Sequence, residues 1–319
     1  MTAGSRTAVG VDVGGTKVNA LLVDEGGRVL ARAIVPTPAQ DMGATVRALV
    51  EAAQAVLTPE VTAVGVGAAG MVALGSGHLL SAPNIAWRDL ALKEVVEQAT
   101  GLPVQVDNDC TAAAYGEWRV GAAAGIPDVL YVGVGTGIGG GLVVDGRLYL
   151  GAHGYAGEIG HLVVEPEGLP CGCGNRGCWE TVASGAAIAR DGRRAVTRHA
   201  HSLLAEMAGG VPDAVTGDMV SEAAAQGDPA ARGILAEVGA RLGQGIAGLV
   251  NVLDPSLVVV GGGASVAGEP LLAPTRHAFR AAVEGRGERP DVPIVVAALG
   301  PDGAAIGAAL RAMDAVGSH

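Results

Sequence analysis

Residues 7–24 read Thr-Ala-Val-Gly-Val-Asp-Val-Gly-Gly-Thr-Lys-Val-Asn-Ala-Leu-Leu-Val-Asp, and this stretch decides how the chain folds. A β-rich run ends at two glycines, and an alternating apolar run follows at 18–23. A third strand pattern, at 28–35, comes after Gly26 and Gly27. Strand patterns separated by glycine turns predict three antiparallel strands joined by short connections.

Helix and strand patterns continue outward from this hairpin. Apolar residues have helical spacing at 42–57 and 90–99, and strand patterns occupy 61–66 and 104–106. The predicted order is therefore β-β-β-α-β-α-β, which indicates an α/β fold.

The second half of the chain begins in the same way. A strand pattern at 129–134 is followed by the glycine loop 135–141 and a second strand at 142–144. Later, the strand 257–260 runs into Gly261-Gly-Gly263, as an earlier strand runs into Gly67. Self-similarity of this kind predicts an internal duplication.

The second half also carries an insertion, because its hairpin and its later glycine-loop strand are much farther apart than in the first half. The insertion contains a cysteine cluster and an alanine-rich helical region at 184–253. Residues 303–313 have a helical pattern, and we expect this last helix to pack back on the first lobe.

Composition narrows the class of protein. The chain has 319 residues, of which 49% are hydrophobic, enough for two domains with their own cores. Its net charge of −11 argues against binding a nucleic-acid backbone. We find neither a signal peptide nor a credible membrane span, and three of the four cysteines lie in one metal-like cluster. We therefore predict a cytoplasmic protein in a reducing compartment, without membrane or nucleic-acid partners.

The strongest local signal is the segment Cys171-Gly-Cys-Gly-Asn-Arg-Gly-Cys178, with His161 ten residues upstream. Three thiolates and an imidazole are typical of a tetrahedral zinc site, and four protein ligands would make it structural. A set of free thiols is the alternative interpretation. Two carboxylates, Glu158 and Glu180, flank the cluster. Cys110 lies apart from it and reads as a small buried hydrophobe.

Two glycine turns are candidate phosphate sites. In Asp12-Val-Gly-Gly-Thr-Lys17 the backbone N–H groups, Thr16 and Lys17 are possible donors, and Asp12 is a candidate to hold Mg²⁺ through water. An ordinary hairpin has the same pattern. The loop 135–141 matches G-x-G-x-x-G, but a strand follows it instead of a helix, so we predict a second phosphate hairpin and reject a dinucleotide site.

Two polar positions are candidates for substrate chemistry. Asp107-Asn-Asp109 ends a strand where a helix begins, which suits a general base, but an Asp at such a position, Asp107 or Asp109, is more often simply an N-cap. Asn84 lies in a loop, where an amide can bind a hydroxyl-rich ligand or simply form a turn.

Taken together, these segments resemble the ROK family (repressors, open reading frames, sugar kinases), most closely its bacterial glucokinases. The resemblance runs from end to end, in the family's order, through residues 11–17, 82–85, 106–109, 135–141, 156–161, 171–180 and 261–263. It implies a duplicated actin-like, ribonuclease-H-like fold with two lobes, an interlobe cleft and a zinc-bound loop in the second lobe. The lobes expected are 1–109, with helix 303–319 packed back on it, and 110–302.

The resemblance also implies an activity, the ATP- and Mg²⁺-dependent phosphorylation of the 6-hydroxyl of glucose, and it assigns residues to it. Asp109 matches the catalytic base. The positions that match sugar ligands are Asn84, Asn108, Asp109, Glu158, His161 and Glu180. The positions that match nucleotide contacts are Gly14, Gly15, Thr16, Lys17, Thr136, Gly137, Gly261 and Gly262, to which the turn itself adds Asp12. The structural zinc ligands matched are His161, Cys171, Cys173 and Cys178.

Departures from the family pattern are small. Asp107 stands where the family usually has Glu, and Cys110-Thr111 replaces a usual Ala-Asn. Three alternatives stay open: a kinase for fructose, mannose or N-acetylmannosamine, the use of polyphosphate instead of ATP, and a sugar-responsive transcriptional regulator. The sequence has no obvious basic track for polyphosphate, and no helix-turn-helix fits before Asp12. The resemblance alone predicts a homodimer or homotetramer.

Overall fold

The computed structural model describes residues 6–82 and 85–317. The strands are β1 (Thr7–Val13), β2 (Lys17–Asp24), β3 (Val29–Pro36), β4 (Val61–Ala68), β5 (Met71–Val72), β6 (Leu79–Ser81), β7 (Arg88–Leu90), β8 (Val104–Asn108), β9 (Val129–Val134), β10 (Ile138–Val144), β11 (Arg147–Leu148), β12 (Leu257–Gly261) and β13 (Ile294–Val296). The α-helices are α1 (Met42–Val56), α2 (Leu92–Thr100), α3 (Asp109–Val120), α4 (Glu180–Ala183), α5 (Gly185–Arg198), α6 (Leu203–Met207), α7 (Gly217–Ala225), α8 (Pro229–Leu253), α9 (Glu269–Ala282) and α10 (Gly303–Gly317).

Two five-stranded sheets share one design, which confirms the predicted duplication. The first has the order β3-β2-β1-β4-β8, and the second has the order β11-β10-β9-β12-β13. In the first sheet β1, β2 and β3 are antiparallel neighbours, while β4 and β8 run parallel to β1. In the second, β10 and β11 are antiparallel and β12 and β13 are parallel.

Two details differ from the sequence prediction. A small sheet of order β5-β6-β7 lies where the sequence predicted no strand, because strands of two or three residues are too short to show alternation. Strand β10 begins at Ile138, so Gly139, Gly140 and Gly141 belong to the strand and not to the loop before it. A glycine run has no side-chain pattern from which a strand can be recognised.

The first sheet is covered on both faces. Valines 9, 11 and 13 of β1 pack in one cluster with Leu49 and other residues of α1. On the opposite face, Ala8 and Leu21 pack against Ala305 and Leu310 of α10. A Cβ atom at Gly10 would overlap the carbonyl group of Ala305, so glycine allows the backbone of α10 to lie directly on β1.

The described residues form two compact units. The first comprises the described parts of Met1–Tyr131, Gly140–Gly157 and Ala297–His319, and the second comprises Val132–Gly139 and Glu158–Val296. The lobe limits expected from the sequence stay predictions. Within the described part of the chain, no helix is both long and apolar enough to cross a membrane.

Candidate active site

In the first unit, the turn between β1 and β2 carries the first group of candidate residues. The N–H of Gly14 donates to the carbonyl of Lys17 at 3.1 Å and closes the turn. Thr16 and Lys17 are exposed, as donors to a phosphate must be. Thr37 fixes the turn from outside, because its N–H donates to Thr16 O at 3.0 Å and its hydroxyl donates to Gly14 O at 2.8 Å. The sequence pattern did not indicate this role for Thr37.

Asp12 occupies an unusual electrostatic position at the end of β1. Burial and the nearby Asp109 carboxylate raise the pKa of Asp12 to about 7, while Lys17 lowers it and Asp302 adds to the rise. A carboxylate that is costly to ionise gains much from a bound cation. Asp12 is therefore suited to hold Mg²⁺, which prefers oxygen ligands.

Three residues beside Asp12 were missed in the sequence analysis. Asn19 of β2 faces Asp12 across the hairpin, is 1% exposed, and donates to Asp302 Oδ1 at 3.1 Å. Arg32 binds both oxygens of Asp302, at 2.9 and 2.5 Å. The available signal was Asn19 itself, a polar residue inside an apolar strand pattern. Its partner Asp302 is too far away in sequence for any local pattern to indicate.

Asp109 opens α3, immediately after β8. The side chain of Asn108 accepts the N–H groups of Cys110 and Thr111, at 2.9 and 3.1 Å, so Asn108 is the N-cap of this helix. Neither aspartate is the N-cap, and Asp107 instead pairs with Arg311 at 3.3 Å. Asp109 is half-buried, and burial raises its pKa while the N–H of Cys110, which donates at 2.8 Å, lowers it. Such a carboxylate has the basicity that suits a general base.

Without magnesium, we expect Asp12→Asn to raise the free energy of unfolding, relative to the unsubstituted protein, more at pH 8 than at pH 4. The pKa of Asp12 is about 7 in the folded state and ordinary in the unfolded state, so between about pH 4 and 7 only the folded state keeps the proton. The contribution of Asp12 to the free energy of unfolding of the unsubstituted protein therefore falls as pH rises through this window. Asparagine avoids a loss of up to about 4 kcal/mol.

Urea unfolding of both proteins from pH 4 to pH 8, without magnesium or nucleotide, measures this difference. Asp291→Asn, at an exposed position, controls for the loss of one negative charge. Parallel stability curves for Asp12→Asn and the unsubstituted protein would contradict the prediction.

In the second unit, the four predicted zinc ligands come together. One donor atom from each of His161, Cys171, Cys173 and Cys178 lies within 4.8 Å of all the others. Cys171 Sγ is 3.6 Å from His161 Nδ1, and Cys173 Sγ is 3.6 Å from Cys178 Sγ. Ligands of a tetrahedral zinc ion are separated by about 3.5–3.8 Å, given Zn–S and Zn–N lengths of about 2.3 and 2.0 Å. The donor set and these two distances are therefore compatible with zinc.

The two flanking carboxylates lie beside this cluster. The second imidazole nitrogen, Nε2 of His161, is 3.8 Å from Glu158 Oε2. Glu180 Oε1 is 3.6 Å from His161 Nδ1 and 3.0 Å from Cys171 Sγ. The side chains of Glu158 and Glu180 are 39% and 22% exposed, so both remain accessible to a polar ligand.

The remaining candidates of the second unit lie where β9 and β12 end. Thr136 is exposed in the turn between β9 and β10, which the N–H of Gly135 closes by donating to Gly137 O at 3.0 Å. Gly262 follows β12, and its carbonyl accepts the Ser265 hydroxyl at 2.7 Å. Asn84, a predicted sugar ligand, lies outside the described residues.

Comparisons with known proteins identify the family of this chain. A model of the ROK family matches residues 8–315. A glucokinase from Streptomyces coelicolor is 42% identical over 305 residues, covering 94% of this chain and 96% of that one. A glucokinase from Halalkalibacterium halodurans is 40% identical, covering 86% of both chains. The crystal structure of a ROK family glucokinase from Streptomyces griseus, in complex with glucose and AMPPNP, has a TM-score of 0.90 and 43% identity, covering 97% of this chain and 99% of that one.

Proposed function

This chain belongs to the ROK family, and on that premise we propose that it is a glucokinase, which transfers the γ-phosphoryl group of ATP to the 6-hydroxyl of glucose. The similarity to glucokinases over nearly the whole chain is the observation that carries the proposal. The candidate residues support it, because they supply a base, hydroxyl-binding carboxylates and turns suited to phosphates.

Asp109 is the proposed general base. Its carboxylate accepts the proton of the sugar 6-hydroxyl as the oxygen attacks phosphorus. Burial raises the pKa of Asp109, which makes its carboxylate a stronger proton acceptor than an exposed one. General-base help of this kind contributes about 10²–10⁴-fold to the rate.

The sugar is recognised through hydrogen bonds from its hydroxyl groups. Proposed ligands are Asn84, Asn108, Asp109, Glu158, His161 and Glu180. A site built to bind hydroxyl groups rejects a sugar that lacks one of them, because a buried acceptor would lose its partner. His161 has two roles in this proposal, as a zinc ligand and as a sugar ligand, since Nδ1 faces the cysteines and Nε2 faces Glu158.

The nucleotide is held by backbone and side-chain donors. Proposed contacts are Gly14, Gly15, Thr16 and Lys17 in the first turn, Thr136 and Gly137 in the second, and Gly261 and Gly262 after β12. Phosphoryl transfer demands positioning and charge neutralisation more than covalent chemistry. Asp12 would hold Mg²⁺, which supplies neutralisation of the phosphate charge. Zinc on His161, Cys171, Cys173 and Cys178 would cross-link the segment that carries Glu158 and Glu180.

Assembly and location follow the resemblance and the composition. We expect a homodimer or homotetramer in the cytoplasm, where reduced thiols remain available as ligands. Size-exclusion chromatography with light scattering measures the number of subunits.

A coupled assay across hexoses tests the function. With ATP and magnesium, we expect kcat/KM for glucose to exceed that for fructose, mannose and N-acetylmannosamine by at least about tenfold, which one lost hydrogen bond readily produces. Replacement of ATP by polyphosphate is expected to abolish turnover. A higher kcat/KM for another sugar, or for polyphosphate, would reassign the substrate.

A further inference from the structure

The hairpin that carries Thr136 and Gly137 is attached to the segment that follows the cysteine cluster. The N–H of Gly185 donates to Gly135 O at 2.8 Å, and the N–H of Ala186 donates to Thr136 O at 3.3 Å. Both donors lie in the first turn of α5, directly after α4. The position of this hairpin therefore depends on where α4 and α5 begin.

Glu180, the first residue of α4, reaches the same hairpin with its side chain. The N–H of Ile138 donates to Glu180 Oε2 at 3.3 Å. A Cβ atom at Gly137 would overlap this carboxylate, so a glycine is required there for Glu180 to keep its position. The other oxygen, Oε1, faces Cys171 and His161. One carboxylate thus contacts the hairpin with one oxygen and the metal-ligand cluster with the other.

From this geometry we propose that Glu180 is a positioning residue for the nucleotide hairpin as well as a sugar ligand, and that it couples the binding of glucose to the binding of ATP. This inference rests on the proposed function, since it needs one side of Glu180 to serve a sugar and the hairpin to serve a phosphate. A sugar that fixes the Glu180 carboxylate also fixes the oxygen that accepts the Ile138 N–H, and so stabilises the hairpin. A hairpin fixed by a bound nucleotide holds Glu180 in place for the sugar in return. Thermodynamic linkage makes this effect equal in both directions.

The first test introduces a substitution in the hairpin and measures the affinity for glucose. Gly137→Ala is expected to displace the Glu180 carboxylate and to weaken glucose binding, without nucleotide, by at least about fivefold, the low end of usual coupling between sites. Gly135→Ala is the matched control, because a Cβ atom there meets no other atom within 4 Å. It should leave the glucose affinity unchanged.

The second test replaces Glu180 and measures the affinity for the nucleotide. Glu180→Ala removes the acceptor of the Ile138 N–H, and it should weaken Mg·AMPPNP binding, without sugar, by at least about fivefold. Glu180→Gln keeps an oxygen for Ile138 and should retain the nucleotide affinity. Glu165→Ala removes another carboxylate of the same segment, one that pairs with Arg241. This variant should also retain the nucleotide affinity.

Isothermal titration calorimetry gives both affinities, and circular dichroism with zinc analysis shows that each variant is folded and metal-bound. Unchanged glucose binding by Gly137→Ala, or unchanged nucleotide binding by Glu180→Ala, overturns the coupling. If another hexose ranks first in the kinase assay, that hexose replaces glucose in the titrations. Failure of the glucokinase assignment and failure of the coupling are therefore separate results.

Discussion

Asp109→Asn is expected to lower kcat by about 10²–10⁴-fold, the usual contribution of a general base, while glucose affinity stays within about threefold. Asparagine keeps an oxygen for the Cys110 N–H, which Asp109 now accepts at 2.8 Å, so the start of α3 should be preserved. The amide cannot accept the proton of the sugar hydroxyl. Steady-state kinetics and glucose calorimetry on the same preparation separate turnover from binding.

Asp107→Asn is the matched control for this substitution. Asp107 is also an acid at the end of β8, but its carboxylate is bound by Arg311 and Gln105. We expect a loss of stability from that substitution and a kcat within about tenfold of the original, well below the loss of a general base. Near-normal kcat in Asp109→Asn would remove Asp109 from the role of base.

The pH dependence of kcat/KM, which reports ionisations of the free enzyme, gives an independent view of the same group. Because burial raises the pKa of Asp109, the rate should fall, as pH decreases, at a higher pH than an exposed aspartate would require. Only the deprotonated form accepts a proton, so activity is present above this pKa and lost below it. The residual activity of Asp109→Asn should lack that acid limb.

The predictable parts of the fold are strands with alternating apolar side chains and turns marked by glycine. The β1–β2 hairpin shows both features, and its likeness to the later β9–β10 hairpin predicts the duplication. The β5-β6-β7 sheet was not predictable, because its strands are held by pairing between short segments and not by an apolar pattern. The close packing of α10 on β1 depends on Gly10, whose role is visible only when the helix is present.

The candidate site divides in the same way. The cysteines form a compact motif whose spacing predicts a metal site, whereas the proposed role of Asp109 as base came from the resemblance to the family and not from its spacing. Asp302, whose carboxylate raises the pKa of Asp12, forms a bidentate ion pair with Arg32, 270 positions away. Glu180 contacts Ile138 across 42 positions. Interactions at such separations follow from the tertiary fold, and a single sequence gives no signal for them.

Removal of the proposed zinc ion is expected to abolish glucose binding. Without an ion, His161, Cys171, Cys173 and Cys178 lose the cross-link that holds their segment together, and Glu158 and Glu180 lose their relative position. Structural zinc contributes about 10–16 kcal/mol to small metal-dependent domains, so the segment should lose its order when the ion is withdrawn. We expect glucose affinity to fall by about 10–100-fold or more, because the loss of groups that orient a metal site costs about 10–100-fold in metal affinity or activity.

A pair of cysteine variants tests this link without a chelator. Cys173→Ser replaces an exposed ligand, and it should lower both the zinc content and the glucose affinity. Cys110→Ser removes a thiol outside the cluster and should retain one zinc ion per chain. Added zinc should restore glucose binding to the chelated protein but not to Cys173→Ser.

Because the Glu180 carboxylate contacts both Cys171 and Ile138, loss of the metal should also weaken nucleotide binding in the absence of sugar. Full glucose affinity in a protein shown to be metal-free would break the connection between the cysteine cluster and the sugar.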